Sequence, residues 1–180
     1  QKMVKLIFSN SELVKKLNLV TANSINIARL LPQTIYYFYM YQELLKIGKT
    51  DNLVVSVPSG NLGNLTSGII AKKMGLPIEK FIAALNENKT FYNYLENNNF
   101  EPKETIKTLS NAMDVSNPSN FIRLKHLYKD NINMKKDITS QYVLDQEIIN
   151  TIKNTYECYN YIIDPHTAVG LASIDKHIKQ

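Results

Sequence analysis

Cysteine is nearly absent from this chain of 180 residues: Cys158 is alone, so no internal disulfide can form, and such usage fits a reducing, cytoplasmic setting. With no base near it in sequence, Cys158 reads as a buried or half-buried thiol and not as a nucleophile. Tryptophan is missing, and arginine occurs only at Arg29 and Arg123, so the net charge of +5 comes almost wholly from lysine. Those lysines are interspersed with Asp and Glu, which describes a solvated surface and argues against a nucleic-acid stripe. No apolar run approaches the roughly 20 residues of a membrane span, and no metal site is expected. The start, Gln1-Lys2-Met3-Val4-Lys5, has neither the order of a signal peptide nor that of an initiator. It reads as the middle of an amphipathic helix, so a piece of a longer protein is expected.

What is present is an ordinary globular composition, 44% hydrophobic, in a chain long enough to bury a core. Apolar spacing predicts a short helix from Ser11 to about Lys16. It predicts mostly helix from Ser24 to Gly48, with Pro32 opening a new first turn and Ile35, Tyr36, Phe38, Tyr39, Leu44 and Leu45 facing the core. Leu53 to Val57 and Phe81 to Leu85 have the composition of buried parallel strands, and Tyr161 to Ile163 reads as a third. Further helices are expected at Leu65–Met74, closed by Gly75, at Thr90–Glu96, at Pro118–Asp130, at Ser140–Asn154 behind a Thr139 or Ser140 cap, and after Asp164-Pro165. Leu127 to Lys136 is the expected mobile loop. Strands separated by helices imply an α/β fold with a mostly parallel sheet flanked by helices on its faces.

The chemistry-bearing segment is Val57-Pro58-Ser59-Gly60-Asn61-Leu62-Gly63-Asn64-Leu65-Thr66. A strand, a glycine-punctuated loop and a helix start follow one another there, which converges unpaired N–H groups and the positive end of a helix dipole on one point. The segment is neither the dinucleotide fingerprint nor a Walker loop, because no G-x-G and no Walker lysine occur in it. Asparagine suits it, since its amide can donate to a phosphate oxygen and it tolerates left-handed backbone. Read locally, the same residues also make a strand-to-helix turn with no ligand. Earlier in the chain, Asn23 or Ser24 stands at a helix start with Arg29 about a turn and a half further on. That set can grip a phosphate or carboxylate, or can be a capped helix carrying a surface arginine.

Seven stretches then occur in the order of one family: Thr21–Gln33, Val57–Asn64, Lys73–Pro77, Asn86–Asn88, Thr108–Asp114, Ser116–Phe121 and Asp164–Gly170. On these the chain resembles threonine synthase, a pyridoxal-phosphate enzyme of fold type II, in its long bacterial and fungal branch. The resemblance implies a three-layer, tryptophan synthase β-like fold, incomplete here, with residues 1–50 ending the smaller domain and 51–180 in the larger cofactor domain. It implies a lyase of phosphorylated substrates that converts O-phosphohomoserine and water to L-threonine and phosphate, the last step of threonine biosynthesis, with no nucleic-acid or membrane partner.

Residue by residue, it places Gly60, Asn61, Leu62, Gly63 and Asn64 on the cofactor phosphate, and Asn23, Ser24 and Arg29 on the substrate phosphate. His166 and Thr167 match a signature near the site and stand as catalytic candidates, with a cap or packing role at the helix start as the other reading of His166, and Asn86 and Asp114 would organise loops. The Schiff-base lysine in its Phe-Lys-Asp wording does not occur and is expected upstream, so the isolated chain should not turn over. Two other readings stay open: another fold type II enzyme such as a serine or threonine dehydratase or a cysteine synthase, and a noncatalytic module that binds a phosphorylated metabolite.

Overall fold

A computed structural model describes residues 2–20 and 26–179, with side chains from residue 6 onward. Its centre is a parallel sheet of β1 (Val54–Pro58), β2 (Lys80–Leu85) and β3 (Ile138–Tyr142), in that order. Val54 pairs with Lys80 and Pro58 with Ala84, while Phe81 pairs with Ile138 and Leu85 with Tyr142. All three strands therefore end at the same edge of the sheet.

The helices are α1 (Lys2–Ser9), α2 (Ser11–Lys16), α3 (Ile27–Leu30), α4 (Thr34–Lys46), α5 (Gly63–Lys73), α6 (Thr90–Asn97), α7 (Phe121–Tyr128), α8 (Asn131–Asp137), α9 (Asp145–Tyr159) and α10 (Pro165–Ile178). Alternation along β2 separates two cores. Phe81, Ala83 and Leu85 join Val57, Leu65, Ile69, Leu95, Leu124 and Met134 on one face. Ala84 joins Val143, Ile148, Ala168 and Val169 on the other. The sheet is thus the middle of three layers, with α5 to α8 on one side and α9 and α10 on the other, as expected for this fold class. Gly68 of α5 is required by this packing: a Cβ there would stand 2.6 Å from the Phe81 ring and 2.7 Å from that of Tyr37.

Several elements differ from the sequence expectation. Ile138–Tyr142 is β3, so the helix expected from Ser140 behind a Thr139 or Ser140 cap begins only at Asp145. Tyr161–Ile163 is not a strand; Tyr161 and Ile162 are exposed and only Ile163 reaches the core. The supposed loop Leu127–Lys136 contains the end of α7 and most of α8, because Asp130 caps α8 through the Asn133 N–H at 2.7 Å. α7 starts at Phe121 and not at Pro118. On α4 the expected stripe is turned the wrong way: Tyr37 is buried and Met40 and Tyr41 pack on the core, whereas Ile35 and Tyr36 are 65% and 68% exposed. Both sides of this helix are apolar, so periodicity could not choose between them. Cys158 is exposed on α9, against the expectation of a buried or half-buried thiol.

Candidate functional site

The loop between β1 and α5 lies at the carboxyl edge of the sheet, where ligands of open parallel sheets collect. Ser59 leaves the strand with its N–H on the Ala84 carbonyl at 2.8 Å and its hydroxyl on the Val57 carbonyl at 2.8 Å. Leu62 then takes the left-handed conformation, φ +58°, as the residue preceding α5. Sequence reasoning assigned that kind of backbone to asparagine; the structure gives it to leucine, whose side chain is 1% exposed in the core. Burial of the side chain offsets the left-handed strain, which costs on the order of 1–2 kcal/mol.

Among the described residues, the main-chain N–H groups of Gly60, Leu62, Gly63, Asn64 and Leu65 reach no acceptor. The first intrahelical bond of the turn is Thr66 N–H to the Leu62 carbonyl at 2.9 Å. Five open donors at the positive end of an eleven-residue helix are a donor set of the kind that can accept a phosphate. Their residues fit the phosphate of a cofactor by donor chemistry alone, because no side-chain charge is needed.

The asparagine side chains are otherwise engaged. Asn61 Oδ1 accepts from Ser119 N–H at 2.6 Å and from Ser119 Oγ at 2.8 Å. Asn64 Oδ1 accepts from the Tyr37 hydroxyl at 2.6 Å, and its Nδ2 donates to Gln33 Oε1 at 3.1 Å. Burial pushes the Tyr37 hydroxyl above its ordinary range, so it remains a donor. Gly60 has a structural reason to be glycine: a Cβ would lie 2.7 Å from the Met113 Cα.

That contact brings in the rest of the edge. A turn at Asn111–Met113 sits over the loop, and its Ala112 N–H donates to His166 Nε2 at 3.3 Å. His166 Nδ1 faces Asp164 Oδ1 at 2.9 Å, which assigns the proton to Nδ1. Asp164 caps α10, accepting from the N–H groups of His166 at 2.8 Å and Thr167 at 3.3 Å and from the Thr167 hydroxyl. The Thr167 hydroxyl, with the His166 ring and the two N–H groups, outweighs the opposing effect of burial and holds the Asp164 carboxyl well below the usual carboxylate range. His166 and Thr167 thus serve a helix cap and a turn.

Asn86 and Asp114 organise the neighbouring loop as expected. Asn86 Nδ2 donates to Asp114 Oδ1 and Thr108 Oγ1, both at 2.9 Å, while Asp114 Oδ2 accepts from Thr108 N–H at 3.1 Å.

Of the earlier constellation, Asn23 and Ser24 lie outside the described residues. The helix start is at Asn26, whose Oδ1 accepts from Ala28 N–H at 2.9 Å, and Arg29 lies in the last turn of α3. Leu30, next in α3, is tied to the loop helix by the Ser67 hydroxyl, which donates to the Leu30 carbonyl at 2.8 Å. The structure thereby brings the Arg29 helix and the glycine loop together on α5. Sequence reasoning gave Ser119, Asn120, Tyr37 and Gln33 no role here. Their partners are 27 to 59 residues away, and no local pattern carries that. No group of three or more His, Cys, Asp and Glu among the described residues could hold a metal, and no described helix is long and apolar enough to cross a membrane.

No protein-family model matches the chain. It is 46% identical over 179 residues to threonine synthase of Haemophilus influenzae, covering 99% of this chain and 42% of that protein. The crystal structure of threonine synthase from Escherichia coli superposes with a TM-score of 0.90 at 43% identity, covering 98% of this chain and 41% of that one. A pyridoxal-phosphate-bound threonine synthase from Brucella melitensis gives 0.84 at 30% identity, over 98% of this chain and 43% of that one. In sequence and in fold alike, the chain is similar to threonine synthase from end to end, and it spans about two-fifths of the length of these relatives.

Proposed function

We propose that this chain is the cofactor-phosphate half of a threonine synthase site. The observation that carries the reading is the set of open main-chain donors at Gly60, Leu62, Gly63 and Asn64, joined by Leu65, at the carboxyl end of β1. They would hold the phosphate of pyridoxal 5′-phosphate, with Asn61 shaping the loop. The threonine synthase of Brucella melitensis is pyridoxal-phosphate-bound, which supports this ligand. When bound, the cofactor supplies an electron sink for charge developing beside the amino acid's α carbon.

The residues of this chain orient that group and exclude alternatives. Leu62 closes the floor of the loop, and the turn Asn111–Met113 covers it. Arg29, with Asn23 and Ser24, would hold the phosphate of O-phosphohomoserine. A fixed charge there grips the group more strongly as it departs, which lowers the barrier and does more than bind the ground state. His166 and Thr167 position the turn and are not assigned chemistry. The products would be L-threonine and phosphate, placing the parent enzyme among carbon–oxygen lyases acting on phosphates. Residues 1–50 would end the smaller domain and 51–180 belong to the larger one.

The test is phosphate release from O-phosphohomoserine, dependent on pyridoxal phosphate, by a full-length polypeptide carrying this segment, with the 180-residue chain run beside it. Release by the longer polypeptide alone is expected. Release by neither, from folded and cofactor-loaded protein, overturns the reading in favour of a different fold type II activity.

A further inference from the structure

Asn120 stands immediately before α7, yet its side chain makes no cap bond to its own helix. An asparagine in that place ordinarily accepts from an N–H two or three residues on. Here the side chain, 0% exposed, is spent across 59 residues: Nδ2 donates to the main-chain carbonyl of Asn61 at 2.8 Å. Its Oδ1 accepts from an Arg123 guanidinium nitrogen at 2.5 Å. A guanidinium can only donate, so Arg123 fixes which end of the amide faces the loop and, by its charge, polarises the Nδ2 donor. Ser119 adds its N–H and hydroxyl on Asn61 Oδ1. Two consecutive residues therefore hold both the main chain and the side chain of Asn61.

The consequence follows from peptide planarity. Among the described residues no peptide bond is cis, so the Asn61 carbonyl and the Leu62 N–H point in opposite directions. Tying that carbonyl toward α7 aims the Leu62 N–H away from α7. The Leu65 N–H is open beside it. The anchor is itself rigid: Phe121, the next residue, stacks on Phe100 with ring centroids 3.9 Å apart and meets Tyr94 edge-on at 4.6 Å.

We propose that Asn120, oriented by Arg123 and assisted by Ser119, is a positioning residue that sets the direction of the phosphate-binding N–H groups by holding the Asn61 carbonyl. This rests on the reading of the loop as a phosphate cradle. A residue that merely supported the fold would affect every ligand of the site alike. One that aims the cradle affects only ligands bearing the phosphate.

The experiment compares the affinity of the full-length polypeptide carrying this segment for pyridoxal 5′-phosphate with its affinity for pyridoxal, both followed by absorbance and fluorescence titration. The unaltered protein should prefer the phosphorylated form strongly. In Asn120→Ala and Asn120→Asp that preference should fall by about ten-fold, the size of one lost hydrogen bond, with pyridoxal affinity unchanged. Ser119→Ala, which alters a half-buried hydroxyl and leaves the core intact, should reduce it by a few-fold, so the test does not depend on the Asn120 variants folding. Arg123→Met should lower the preference and Arg123→Lys restore most of it. Equal preference in the unaltered and Ser119→Ala proteins, or equal losses for the two ligands in the Asn120 variants, overturns the inference and leaves the cradle standing. An unaltered protein that does not discriminate the two ligands overturns the cradle and the inference together.

Discussion

Gly60 and Leu62 divide the work of the loop between them. Gly60 is needed because the Met113 backbone approaches where a Cβ would be, and a backbone neighbour yields less readily than a flexible side chain. Gly60→Ala should therefore destabilise the chain by roughly 1–3 kcal/mol, the usual range for overpacking, read as a lower urea midpoint at unchanged slope. No loss would mean that the Asn111–Met113 turn is free to lift. Leu62 was legible in the sequence as part of the loop between strand and helix, but not as its left-handed residue. The conformational preference of leucine argues against that backbone, and only the burial of its side chain decides for it. Asn61 and Asn64 were legible as loop residues; that Ser119 and Tyr37 engage their side chains was not, because those bonds join residues far apart in sequence. The Asp164 cap was readable, since its partners lie two and three residues on.

Helices whose signals are local stand where the sequence put them: α2 behind an Asn10 cap, α5 closed by Gly75 at φ +107°, and α10 behind Asp164. β3 was missed because its strand character comes from pairing with β2, while its polar Thr139, Ser140 and Gln141 resemble a helix start. The link from α5 through α7 to the end of α8 is electrostatic. Lys72 meets Asp137 at 2.9 Å, and the Tyr128 hydroxyl donates to Asp137 at 2.7 Å. Burial raises the Asp137 carboxyl, but the hydrogen bonds from Lys72 and Tyr128 and the charges of Lys72 and Lys73 outweigh it and leave it lowered. A carboxyl lowered on folding contributes stability that is present above its unfolded value, near 3.9, and lost as pH falls through its folded value. Denaturation midpoints measured from pH 6 down to pH 2 should fall across that acid window, and Asp137→Asn should flatten the fall while lowering stability at pH 6. An unchanged acid profile in Asp137→Asn would assign the fall to other carboxylates.

For the molecule as a whole, the described chain leaves one side of α4 open, with Ile35, Tyr36 and Tyr39 largely exposed beside Leu31 and Leu45. Contiguous apolar surface of this kind drives association. The isolated chain should bind more hydrophobic dye than a compact protein of its size, and Ile35→Lys with Tyr39→Lys should bring that binding down without lowering the unfolding midpoint. Dye binding no higher than the compact control contradicts this. The sequence by itself determined the α/β class, the alternation that makes the sheet parallel, and the strand–loop–helix unit with its open donors, because each depends on spacing within about a dozen residues. Tertiary structure decided which face of α4 is buried, that Ile138–Tyr142 is a strand, and that Ser119, Asn120 and Met113 shape the loop. Those outcomes depend on which distant segment arrives, and a pattern of apolar and polar residues specifies what must be buried without naming its partner.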